Sequence, residues 1–344
     1  MASAQPRPYD GLTPDAVLDA LESIGLRGDG RLLALNSYEN RVYQVSLEDD
    51  SYLVAKFYRP NRWSDAQILE DHAFSLELSA REIPVVAPLE LGGKTLHSFN
   101  GIRFAVFPRR GGRPPELDDG EVLEWIGRFL ARIHAVGAKR PFVHRPALDV
   151  QTFAIEPMQW LLANDRVPLD VQSAWTAACQ NAIDLIAARA DMAGATGQSK
   201  SNSSGIRQLR LHGDCHAGNI LWTEAGNQAH GGPHFVDLDD ARMGPAVQDL
   251  WMLLAGDRAT AARQLRALVE GYEQFHGFNR EELGLIEPLR TLRLIHYSAW
   301  LARRWEDPAF PAAFPWFGTP RYWQDRILEL REQTSNMDEA PLAV

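Results

Sequence analysis

Leu211-His212-Gly213-Asp214-Cys215-His216-Ala217-Gly218-Asn219 is the stretch on which the reading of this chain turns, and it is answered downstream by Phe235-Val236-Asp237-Leu238-Asp239. The first segment sets an Asp and an Asn five positions apart, and the second closes an apolar run with a carboxylate. Asp and Asn are also ordinary turn and cap residues, so neither segment decides anything alone. His212, Cys215 and His216 invite a zinc reading. Two of the three are adjacent, no second Cys/His pair stands nearby, and a structural zinc site takes four ligands, so that reading fails.

The order His212, Asp214, Asn219, Asp237 is that of phosphoryl-transfer enzymes of the protein-kinase type. There an Asp accepts the acceptor hydroxyl's proton, an Asn on the same loop holds a metal ion, and an Asp at a later strand end holds metal too. The residue types follow from the chemistry. ATP brings about four negative charges into a small volume, and hard Mg²⁺ bridging its phosphates prefers carboxylate and amide oxygens. Asn219 and Asp237 suit that role, and Asp214 suits that of the base for a Ser or Thr hydroxyl. Gly213 stands where eukaryotic protein kinases usually carry an Arg that reads a phosphorylated activation loop. Between Asp237 and Asp249 there is no Ser, Thr or Tyr, so switching by phosphorylation at this place is not available. Asp239 and Asp240 read as added ligands or as turn residues, and Asp249 as a helix cap or a support for the catalytic loop.

Upstream, Thr13 to Ile24 reads as a capped helix ended by Gly25. Three β-like runs follow: Arg31 to Leu35, Arg41 to Leu47 and Tyr52 to Tyr58. The turn Asn36-Ser37-Tyr38-Glu39-Asn40 between the first two contains no glycine, so phosphate contacts fall to Ser37 and backbone amides. Lys56, among Val54, Ala55 and Phe57, is costly to bury without an anion, and a nucleotide phosphate supplies one. Ser64 to Arg81 has helical periodicity, and Glu70 is the expected carboxylate partner of Lys56, with Asp71 the alternative. Ile83 to Leu91 and Gly101 to Pro108 supply the last strands. The second leads into an interlobe hinge, with adenine bonded to backbone near Val106 and Phe107.

The remainder reads as helical: Asp119 to Gly137, Ser173 to Arg189, Ala259 to Phe275 and Glu281 to Trp305, with tail tryptophans packing on the lobe. Ala193 to Gly205 is a flexible polar insertion, and Ala225 to Pro233 a Gly-rich loop inside a small hairpin. The expected fold is α+β and bilobal, protein-kinase-like: a small antiparallel-sheet lobe over 1–108 and a mostly helical catalytic lobe over 109–344. The 344 residues, 45% hydrophobic and 23% charged, suffice for two cores. A net charge of −10 argues against a nucleic-acid partner. Two cysteines and no long apolar span argue for a cytoplasmic protein with no membrane role.

With these residues assembled, the chain resembles the stress response kinase A family, within the aminoglycoside phosphotransferase and choline-kinase superfamily. The marks are Leu35-Asn36-Ser37-Tyr38-Glu39-Asn40-Arg41-Val42-Tyr43-Gln44, Val54-Ala55-Lys56-Phe57-Tyr58-Arg59-Pro60, the stretch from Leu211 to Trp222, and Phe235 to Arg242. The resemblance implies an ATP- and Mg²⁺-dependent Ser/Thr protein kinase of the bacterial cytoplasm that autophosphorylates and serves envelope and oxidative stress survival. It implies Asp214 as proton acceptor, Asn219 and Asp237 as Mg²⁺ ligands, Asp237 also as an active-site residue, and Ser37 as an ATP contact. The expected partner is a protein with a Ser/Thr acceptor, and the expected state a monomer. Two other readings stay open: a small-molecule alcohol kinase of the homoserine, choline or aminoglycoside type, and an ATP-binding module without catalysis.

Overall fold

The computed structural model describes residues 8–188, 206–224 and 231–344. The expected insertion at Ala193–Gly205, Arg189, most of the Gly-rich loop from Ala225 and the first seven residues lie outside them. The chain divides into two compact units. The first comprises Met1–Pro115, Val143–Arg145 and Gly218–Asp239; the second comprises Glu116–Phe142, Pro146–Ala217 and Asp240–Val344.

In the first unit a helix α1, Pro14–Glu22, precedes three strands, β1 (Gly28–Leu35), β2 (Arg41–Leu47) and β3 (Tyr52–Phe57). Thr13 caps α1 through its side chain, with Pro14 opening the first turn where no amide hydrogen is needed. Helix α2, Asp65–Ser79, starts in a capping box made by Ser64 and Gln67. Short β4, His97–Phe99, and β5, Ile102–Pro108, complete an antiparallel sheet of order β1-β2-β3-β5-β4. Strand periodicity sorts β3. Leu53, Ala55 and Phe57 join Val17, Ala20, Leu21, Val45, Phe104 and Val106 in one core. Lys56 therefore points to the other face, where Tyr58 and Ala105 pack on Ile68 of α2.

The strand expected over Ile83–Leu91 does not form. Pro84 and Pro88 interrupt it, and proline cannot donate to a ladder. The segment makes single bonds instead: Val86 N–H to the Phe235 carbonyl at 2.9 Å and Leu89 N–H to the Val106 carbonyl at 2.7 Å. The same unit holds the hairpin of β7, Ile220–Thr223, and β8, Gly232–Phe235, paired Ile220 to Phe235.

The second unit is helical: α3 (Gly120–Gly137), α4 (Glu156–Ala163), α5 (Leu169–Ala188), α6 (Val247–Trp251), α7 (Arg258–Glu273), α8 (Ile286–Arg303), α9 (Ala309–Ala313) and α10 (Pro320–Met337). A two-stranded ribbon joins β6, Leu209–Leu211, to β9, Arg242–Gly244. Asp119 caps α3 and Asp257 caps α7. The tail aromatics pack as their composition suggests: Trp323 meets Trp175 edge to face at 5.6 Å, and Trp300 and Trp305 contact Phe310 and Phe317. Among the described residues no helix is long and apolar enough to cross a membrane.

Candidate active site

Lys56 is the centre of the first unit's polar cluster. It is 8% exposed, and its Nζ lies 2.7 Å from Asp237 Oδ1 and 2.8 Å from Asp239 Oδ1. Burial works against its charge, but the two carboxylates hold its pKa well above the usual lysine value. Burial likewise opposes the charge of Asp239, and Lys56 and Arg62 override it, keeping the carboxyl below its ordinary range. Asn40 Nδ2 donates to the second oxygen of Asp239, and Arg145 Nη1 donates to its main-chain carbonyl at 2.5 Å. Asp239 is thus a buried organiser of the lysine.

The expected pairing of Lys56 with Glu70 is not what forms. The Glu70 carboxylate accepts the main-chain amides of Val143, His144 and Arg145 at 2.5, 2.8 and 2.7 Å. Asp237, just past β8, and Asp239, in the 3₁₀ turn Leu238–Asp240, reach the ammonium directly, and Glu70 instead ties a three-residue segment to α2. The alternative, Asp71, lies buried against Arg145 at 3.4 Å, and burial pushes its pKa up to about 7.

Asp237 sits at φ +61°, left-handed backbone that Asp tolerates better than most residues, and its side chain remains 40% exposed while one oxygen holds Lys56. Asn219 ends a 3₁₀ turn, and its carbonyl accepts the Val236 amide at 3.0 Å, so Asn219 and Asp237 flank the base of the β7–β8 hairpin. These oxygens suit Mg²⁺, which takes one or two protein ligands and completes its shell with phosphates and water. No group of three or more His, Cys, Asp or Glu among the described residues could hold a metal, and Cys215 is fully buried with its thiol pushed well up by burial. The turn at Ser37 is rigid without glycine: Arg59 donates to the carbonyls of Tyr38 and Glu39 at 3.2 and 3.0 Å, and the Asn40 amide reaches Ser37 Oγ at 3.4 Å. On β5, Val106 is fully buried with its carbonyl accepting Leu89, and the Phe107 ring lies 5.4 Å from Lys56 Nζ.

In the second unit the loop of Asp214 is built on Asp249, which lies inside α6 rather than at its cap. Its buried carboxylate accepts the amides of His212 and Gly213 at 2.9 and 2.8 Å and faces His134 Nε2 at 3.0 Å. Burial raises its pKa, but His134 leads the groups that bring it below the ordinary value. Gly213 has φ +85°, and a Cβ there would stand 2.1 Å from the Asp240 carbonyl oxygen, so no side chain fits at this position. Asp214 itself meets Arg293 Nη1 at 2.8 Å and His216 Nε2 at 3.6 Å.

The sequence reading missed Arg293, Arg145 and the roles of Asn40 and Asp239. Asn40 and Asp239 lie inside the motifs quoted above. Nothing local marks Arg293, which stands on α8 far downstream of the aspartate it meets.

Comparison with known proteins agrees with this picture. Residues 31–286 match the phosphotransferase enzyme family (APH). Stress response kinase A of Escherichia coli (strain K12) is 46% identical over 336 residues, covering 97% of this chain and 96% of that protein. The serine/threonine protein kinase RdoA of Salmonella typhimurium (strain LT2) matches at the same identity and coverage. Among solved structures, amicoumacin kinase hAmiN in complex with AMP-PNP, Ca²⁺ and Ami superposes with TM-score 0.69 at 17% identity, over 97% of this chain and 95% of that one. The microcompartment-associated aminopropanol kinase gives 0.68 at 15%, over 95% and 97%. At such identities the structures speak for the fold, and the sequence relatives for the lineage: the chain belongs to the stress response kinase A family of phosphotransferases.

Proposed function

We propose that the chain is a monomeric, cytoplasmic, ATP- and Mg²⁺-dependent serine/threonine protein kinase that phosphorylates itself and a protein acceptor during bacterial stress. The observation that carries the reading is the buried Lys56 ammonium held by Asp237 and Asp239, with Asp237 in left-handed backbone and still partly exposed. A cation so held serves polyphosphate better than it serves the core, since a buried ion pair adds little net stability. The name of the Salmonella relative supports a Ser/Thr protein acceptor, and the AMP-PNP and Ca²⁺ bound by amicoumacin kinase support a nucleotide with a divalent ion.

In this reading the acceptor oxygen forms a bond to the γ-phosphorus as the bond to the β,γ-bridging oxygen breaks. ADP leaves with that oxygen, and the acceptor's proton passes to the Asp214 carboxylate. Lys56 and Ser37 orient the phosphates, Asp239 fixes Lys56, and Asp249 fixes the loop that carries Asp214. Asn219 and Asp237 would hold Mg²⁺, which would supply positive charge against the transferring phosphates. The test is transfer from γ-labelled ATP with Mg²⁺ by the native protein and Asp214→Ala, alone, with a generic Ser/Thr substrate, and with small alcohols. Label on protein that resists acid as phosphoserine or phosphothreonine and vanishes in the variant is expected. Label confined to a small alcohol moves the assignment to an alcohol kinase, and none at all leaves a nucleotide-binding module.

A further inference from the structure

The acceptor side of the proposed reaction carries a cation. Arg293 of α8 gives one N–H to Asp214 Oδ1 at 2.8 Å, and its side chain is still 40% exposed. A guanidinium has five N–H donors in a planar fork, so the contact with Asp214 leaves most of them available to a second anion. His216 approaches the other Asp214 oxygen at 3.6 Å. One turn along α8, His296 stacks on Phe153 at 4.4 Å and is pushed down to about 3, by burial first and then by the positive charges of Arg242, Arg304 and Arg293, against Asp240. Arg293, Tyr297, Trp300 and Arg304 recur at four, three and four residues and share one face of the helix and its end. Tyr297 and Trp300 stack at 5.5 Å, and Arg304 lies over Trp300 at 5.2 Å. Eleven residues of helix span about 16 Å, the reach of about five residues of extended chain.

We propose that Arg293 determines acceptor specificity by taking a carboxylate or phosphate carried beside the acceptor hydroxyl, so that the acceptor is a Ser/Thr segment rich in acidic residues. The proposal rests on Asp214 being the proton acceptor. An alcohol bearing an ammonium next to its hydroxyl meets like charge at Arg293 and is rejected, while an acidic neighbour gains a charge-assisted, bidentate contact.

The experiment compares kcat/KM for matched peptides whose central Ser is flanked by Glu, by Ala or by Lys, with the native enzyme, Arg293→Lys and Arg293→Glu. Autophosphorylation is read in parallel. Arg293 touches the base, so all variants lose turnover; the Glu-to-Lys peptide ratio within each protein cancels that shared loss. The native ratio is expected at about 30-fold or more, chiefly through KM, retained within a few-fold by Arg293→Lys and inverted by Arg293→Glu. A native ratio near one overturns the proposal without any variant, and so does a ratio that Arg293→Glu leaves unchanged. An enzyme that autophosphorylates and takes Lys-flanked peptides equally well loses this proposal and keeps the kinase assignment. Transfer to small alcohols and to no protein or peptide overturns both.

Discussion

Lys56 in the first unit and Gly213 in the second show how much single positions hold in place. Removing the Lys56 ammonium leaves the Asp239 carboxylate, 5% exposed, without its nearer ion-pair partner and with Arg62 at 4.0 Å. Losing one member of such a buried pair costs about 3–5 kcal/mol. Lys56→Met is therefore expected to lower the melting temperature and to cut kcat/KM for ATP by about a hundredfold or more; calorimetry and initial rates check the two effects separately. Gly213→Ala is a sterner test of the loop that carries Asp214. Its Cβ would stand 2.1 Å from a backbone oxygen at φ +85°, and no rotamer change relieves that. A loss of about 2–4 kcal/mol is expected from strain and overpacking together. A variant that melts with the native protein would mean that the loop has another conformation of equal energy.

At the scale of elements, the approach of α3 and α7 is set by two glycines facing the opposite helix. A Cβ on Gly127 would lie 2.1 Å from the Leu268 carbonyl oxygen, and one on Gly271 would lie 2.0 Å from that of Glu124. Helix propensity favours alanine by about 1 kcal/mol at each. The clash is with backbone on both sides, so it outweighs that gain. Gly127→Ala and Gly271→Ala are each expected to destabilise by about 2 kcal/mol or more, and the double variant by less than the sum, because one separation of the helices relieves both. Urea titrations of the three variants measure this. Helix starts and strand alternation were legible where Thr13, Ser64 and Asp119 cap and where β3 alternates by twos, whereas the Asp257 cap went unread. The false strand at Ile83–Leu91 shows the limit of apolar content read without its prolines.

For the whole molecule, stability should depend on pH through Glu282, which is buried and accepts the Val247 amide at 2.9 Å. Burial pushes its pKa from 4.5 up to about 7, against the pull of the Val247 and Ala246 amides. Between those values the folded chain keeps a proton that the unfolded chain releases. The contribution is thus complete below pH about 4.5 and is lost as pH rises through about 7, on the order of 3 kcal/mol. Glu282→Gln keeps an acceptor and cannot titrate. In melting curves of both proteins from pH 4.5 to 8 the native protein should lose stability relative to Glu282→Gln as pH rises, and a constant gap would count against the buried carboxyl.

The sequence by itself determined the fold class and the lineage. Those are written in local patterns: period-two and helical runs, caps, and the spacing of Asp214, Asn219 and Asp237. Only the tertiary structure decided the partners. Glu70 and Asp71 differ by one helical position, and periodicity alone does not say which of two adjacent carboxylates reaches a lysine or whether a distant strand end reaches it first. The pairing of Lys56 with Asp237 and Asp239 joins residues about 180 positions apart, and that of Arg293 with Asp214 joins residues 79 apart. Such contacts are fixed by where packed elements bring side chains together, and no spacing along the chain encodes them.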